Sequence, residues 1–210
     1  MKKISHVLIL LLFVTSACFA QKKEQQAVIQ AFENYKSSIL EDRGEEAVKY
    51  VDSRTIEYYG DILELVKTAD STKISSLSLL DKLMVFSVRH RTSKENILSF
   101  DGKQLLVYAI KSGMVGKSSV ANNSLGDVLV DNDFAKAQFV NNGKATPFYF
   151  HFYKEQQQWK MDLTSIFDIS NMAFSKVREQ SGQAENEYLF TLLEMITGKK
   201  VGPEIWQKVN

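Results

Sequence analysis

The chain has 210 residues, with 26 basic and 25 acidic side chains and a formal net charge of +1. That balance excludes a general nucleic-acid binder, which neutralises phosphates with a basic excess. Hydrophobic residues make up 44% of the chain, enough apolar surface to offset the entropy of ordering one domain and to exclude a disordered chain.

Residues 1–20 read as a secretory signal peptide. Lys2 and Lys3 give a positive start, Val7 to Val14 is an unbroken apolar run, and Ser16, Ala17 and Ala20 are small residues near a cut site. The run is shorter than the roughly 20 residues that span a bilayer. Cys18, the sole cysteine, leaves two outcomes open. Cleavage after Ala20 gives a cysteine-free periplasmic or secreted protein. Thr15-Ser16-Ala17-Cys18 also resembles a bacterial lipobox, in which the cysteine carries lipid and anchors the protein to the envelope; Thr15 stands there in place of the usual Leu. Neither outcome allows an intrachain disulfide, so packing alone holds the fold. Without Lys2 and Lys3, 24 basic groups face 25 acidic ones, and nothing steers the protein to anionic lipid apart from an anchor on Cys18.

The first half of the chain after this segment reads as helix. Val28, Phe32, Tyr35 and Ile39 recur on one helical face, and Gly44 breaks the run. Glu45 to Val51 forms a short second helix. Ser53 is the expected N-cap of a third, with Ile56, Tyr59, Leu63 and Val66 on its apolar side. Asp70, Ser71 and Thr72 interrupt, and the pattern resumes from Ser78 to Arg89 through Leu80, Leu83, Met84 and Val88. Thr92-Ser93-Lys94-Glu95 and Asp101-Gly102-Lys103-Gln104 both have capping-box spacing. The stretch 104–110 is apolar on both alternating sets, so a strand selects no face there. The cap, together with Gly113 as a stop, selects helix.

From Gly126 the period changes to two. Strands are expected over 126–130, over 134–140, from Pro147 onward, and through Trp159, Met161 and Leu163, with turns at Asp131-Asn132-Asp133 and Asn141-Asn142-Gly143. In the stretch FYFHFYKEQQQWKMDL, a four-residue loop between Tyr153 and Gln158 would set Phe152 opposite Trp159, Phe150 opposite Met161 and Phe148 opposite Leu163. All the apolar side chains then share one side, and His151 lies on the other, opposite Lys160 and diagonal to Asp162. After Phe167 the pattern is helical again over 172–180 and 187–197, closed by Gly198, and Pro203 opens a turn that places Trp206. The expected architecture is α+β, with helices in the N-terminal half packed on a strongly curved antiparallel sheet and extra C-terminal helices. Residues 21–180 form the main domain and 181–210 a helical extension.

Ser53-Arg54-Thr55-Ile56-Glu57-Tyr58-Tyr59, Gly126-Asp127-Val128, and Phe152-Tyr153-Lys154-Glu155 running on to Trp159-Lys160-Met161-Asp162-Leu163 resemble a secreted bacterial branch of the nuclear-transport-factor-two-like superfamily. The resemblance covers roughly residues 24–170. It implies a cone with an apolar pocket between sheet and helices, and homodimerisation through the sheet. Isomerases, cyclases, dehydratases and transport adaptors share the architecture, so it implies no single activity.

Chemistry-bearing residues are few. Of three histidines, His6 lies in the leader, while His90 and His151 stand in no ligand spacing; neither a metal nor a cofactor is expected. Gly113-Met114-Val115-Gly116-Lys117-Ser118 mimics a phosphate-binding loop but lacks two residues between its glycines. Arg89-His90-Arg91 suits either an anion site or the capping of carbonyls at a helix end. Tyr58 or Tyr59 could offer a phenol to an oxyanion. Asp162 is the general-base candidate that the resemblance suggests, with His151 beside it, but the register puts both outside an apolar cone. The leading expectation is therefore an exported, non-catalytic domain that holds a small hydrophobic molecule or a protein partner. Phe148, Phe150, Phe152, Trp159 and Met161 are its binding side chains. The alternatives are an isomerase- or dehydratase-type enzyme using Asp162 with His151 or a tyrosine, and a protective or immunity protein of the envelope.

Overall fold

The computed structural model describes the backbone of residues 2–209 and the side chains of residues 21–118 and 120–209. The expected leader, its cut site and a lipid on Cys18 lie outside the described side chains. α1 (Lys2–Leu40) buries Val28, Ala31, Phe32, Tyr35 and Ile39 on one face, the stripe its sequence predicts. α2 (Gly44–Ala47) follows, and Gly44 does more than break a helix. A Cβ there would stand 2.6 Å from the Val107 carbonyl oxygen, so glycine is what lets two backbones approach.

A 3-10 turn over 48–50 leads to α3 (Ser53–Thr68). Its cap is Asp52, one residue before the expected Ser53: the carboxylate accepts from the Thr55 N–H at 3.0 Å and from the Thr55 hydroxyl at 2.9 Å. Asp52 is fully buried, and its second oxygen takes the Arg54 guanidinium. The Asp70–Thr72 segment, expected as an interruption, starts α4 (Ser71–Ser75), with Asp70 as cap. Next come α5 (Leu79–Arg91), α6 (Lys94–Ser99), α7 (Gly102–Lys111) and α8 (Ser118–Ala121). α6 is capped by Ser93 rather than Thr92. α7 carries a complete capping box between Asp101 and Gln104, which settles 104–110 as helix. α7 also crosses α3 at close range, because a Cβ on Gly102 would meet the Ile56 carbonyl at 2.5 Å.

The sheet is four antiparallel strands in the order β1 (Asn123–Asp131), β2 (Phe134–Asn141), β3 (Lys144–Glu155), β4 (Gln158–Asp162). A bulge at 125–128 in β1 and a register shift near Gln138 bend it. Pro147 lies within β3 rather than at its start, inside the second irregularity, where a missing N–H is tolerated. The β3–β4 register also differs from expectation. Phe152 faces Met161 and His151 faces Asp162, with a two-residue turn at Gln156 and Gln157, both at positive φ. Such turns favour Asn-Gly, so a Gln-Gln pair gave no signal. The slip is two residues, so every side chain keeps its predicted face.

α9 (Phe167–Ser181) and α10 (Glu185–Thr197) follow, then a 3-10 turn over 203–206. The fold is α+β, with helices on both sides of an unclosed antiparallel sheet. α5 is the bridge to the C-terminal helices. Phe86 meets Phe190 and Trp206 at ring distances of 5.4 and 4.9 Å. Buried Lys82 pairs with Glu185 in the first turn of α10. Among the described residues no helix is long and apolar enough to cross a membrane.

Candidate functional site

The inner face of the sheet sets small residues against large ones. Ala135 lies opposite Phe152 and Ala137 opposite Phe150, and all four are buried. The alanines leave room for α1, whose Phe32 ring stands 5.6 Å from that of Phe150. Phe139 closes on the other side of Phe150 at 5.0 Å. Between α1, α3 and this face a cavity of ≈ 160 Å³ remains, lined by Phe32, Tyr35, Tyr59, Phe150, Met161 and Phe167 among others. A second chamber of ≈ 230 Å³ lies between α3, α5 and α7, with Leu83, Met84 and Leu105 in its walls. Tyr59, Val115 and Phe167 line both chambers.

α5 explains why the second chamber exists. Its predicted stripe, Leu80, Leu83, Met84 and Val88, faces this chamber, and of these only Val88 is fully packed. The buried residues Leu79, Lys82 and Phe86 turn toward other neighbours. A helix that buries side chains on both sides needs more apolar residues than one stripe provides.

The cavity's polar groups are mainly phenols. Tyr35 is 4% exposed and Tyr59 7%. Neither hydroxyl forms a hydrogen bond to another described residue. Burial pushes the Tyr59 phenol up to about 12. Burial raises Tyr35 further, and the charge that Tyr59 would carry adds to the effect. Both are therefore neutral donors at ordinary pH. Tyr58 is different. Its hydroxyl donates to Asp81 and its ring stands 4.8 Å from that of Phe167, so it serves packing and a helix contact.

The outer face carries the acid–base candidates. Asp162 is buried, and its Oδ1 accepts from the Thr164 N–H at 2.9 Å and the Thr164 hydroxyl at 2.5 Å, capping the turn that follows β4. His151 is half-buried, directly opposite Asp162, with its ring edge-on to Phe134 at 5.3 Å. Its backbone N–H donates to Ser165 Oγ at 3.2 Å. The Arg54 guanidinium lies 3.7 Å above the Tyr153 ring on the same side. The Lys160 ammonium reaches Glu155 at 3.6 Å rather than Asp162.

The other predicted binding side chains divide. Phe150 and Met161 line the cavity. Phe152 is fully packed in the core. Trp159 lies further along β4, where its Nε1–H donates to Glu24 at 2.7 Å beside Lys154. Phe148 is half-buried, outside the main core. Arg89 donates to the carbonyls of Leu65, Val66, Ala69 and Ile205. It thus caps the end of α3, not its own helix, and ties down the C-terminal turn. Arg91 donates to Ser112 O at 2.7 Å.

The sequence did not single out Tyr35, Phe32 or Val115 as site residues. A phenol in the otherwise aliphatic and phenylalanine stripe of α1 was the one available signal. Among the described residues no group of three or more His, Cys, Asp or Glu stands close enough to hold a metal. No protein-family model, curated protein or solved structure matches the chain.

Proposed function

We propose that this is an exported binding domain that holds a small hydrophobic molecule between its helices and the inner face of its sheet. The observation that carries the reading is the pair of adjoining apolar chambers sharing Tyr59, Val115 and Phe167. Concave, largely apolar spaces with a few polar groups are where small ligands bind. The reading is non-catalytic because Asp162 and His151 belong to the opposite face, where the carboxylate is engaged as a cap. General acid–base work needs such a group within reach of the bound molecule. The domain acts beyond the cytoplasm, free after cleavage at Ala20 or tethered through Cys18. A second reading, docking of a protein partner, draws on exposed Met172 and Val177 of α9 and Met195 and Ile196 of α10.

Thermal unfolding with a panel of one- and two-ring hydrophobic compounds tests the first reading. The expected result is an upward shift that grows with ligand concentration and is lost in Val115→Trp, which fills the junction of the chambers. A panel that moves nothing, or a shift that survives in Val115→Trp, contradicts it.

A further inference from the structure

Several enclosed hydroxyls have close partners, while the buried Thr92 hydroxyl has none among the described residues. Thr55 donates to Asp52, Thr164 to Asp162 and Tyr58 to Asp81. Tyr35 and Tyr59 form no hydrogen bond to another described residue. They come from different helices, α1 and α3, and line the same cavity of ≈ 160 Å³. The described side chains around that cavity include no Lys, Arg, His, Asp or Glu. An anionic ligand would enter without a compensating charge and lose its hydration. A neutral acceptor gives up far less hydration, and donated hydrogen bonds can replace it. A cavity of about this volume accepts a benzene-sized ring.

We infer that the inner cavity is a binding site for a compact neutral molecule of one ring bearing a carbonyl oxygen, which the Tyr35 and Tyr59 hydroxyls hold by donated hydrogen bonds. The adjoining chamber, reached past Val115 and Phe167, takes an apolar substituent on that ring. This rests on the binding function proposed above and names its ligand class.

The test compares cyclohexanone with methylcyclohexane, matched in size but differing in the acceptor, by NMR titration of the full mature chain. The same titrations are run on Tyr35→Phe, Tyr59→Phe and the double variant. Cyclohexanone should bind wild type about tenfold more tightly than it binds the double variant, the size of one net hydrogen bond. Methylcyclohexane should bind both proteins equally. A cyclohexanone affinity that is unchanged in the double variant, or one that falls no more than that of methylcyclohexane, overturns the inference and leaves the binding function standing. If neither probe binds, both fall. Should a variant fail to fold, infrared spectroscopy of carbonyl-labelled cyclohexanone bound to wild type decides. A stretch lowered relative to that in hydrocarbon solvent supports the phenol contacts, and an unlowered one overturns them.

Discussion

The two faces of the β3–β4 hairpin are built from alternate residues of one stretch, yet they have opposite economies of polar groups. On the inner face, Phe150 and Met161 meet α1 and α3, and the phenols nearby form no hydrogen bond to another described residue. On the outer face, one oxygen of Asp162 accepts both Thr164 hydrogen bonds, and Tyr153 lies under Arg54. The groups with the most reactive chemistry thus serve structure. The side with unused hydrogen-bonding capacity holds only neutral donors. Residue type alone would have directed attention to the outer face.

That contrast can be broken experimentally. Phe152→Ala on the inner face should destabilise the protein most, by about 3–5 kcal/mol, measured by urea unfolding. Asp162→Ala on the outer face removes a cap and should cost about 0.5–2 kcal/mol while leaving cavity binding intact. A loss of ligand affinity well beyond the loss of stability would return Asp162 to the site. His151→Ala should cost less than about 1 kcal/mol, the scale of a cross-strand pair, again with ligand affinity unchanged.

The smallest effect concerns pH. The hydrogen bond from Lys154, then that from Trp159, holds the Glu24 carboxyl below its ordinary value of 4.5. Its stabilising contribution is complete above 4.5 and lost as pH falls through the lower folded value. Glu24 is partly exposed, so solvent screens the pair. Glu24→Gln should therefore flatten the acid limb of the melting-temperature profile slightly, between neutral pH and about pH 3. An unchanged slope there would mean the Lys154–Glu24 contact adds nothing to the fold.

What the sequence made legible was periodicity. Val28, Phe32, Tyr35 and Ile39 announced the buried side of α1, and Asp101 with Gln104 decided a helix over a strand. The facing of Phe150 against His151 survived an error of two residues in register because side chains alternate with period two. Three things lay beyond reach. The Gln156-Gln157 turn adopts backbone angles that its residues do not advertise. α5 packs on both sides, so no single stripe described it. The cavity lies between α1, α3 and the sheet, and Tyr35 and Tyr59, 24 positions apart, share it only in the fold.

On the proposed function, a small apolar ligand enters behind the inner face and leaves the outer face untouched. Chemical-shift mapping during titration with benzene measures this most directly. Saturable changes should concentrate on Tyr35, Tyr59, Phe150 and Met161, with His151 and Tyr153 unmoved. Changes centred on His151 and Tyr153, or no saturable change at all, would contradict it.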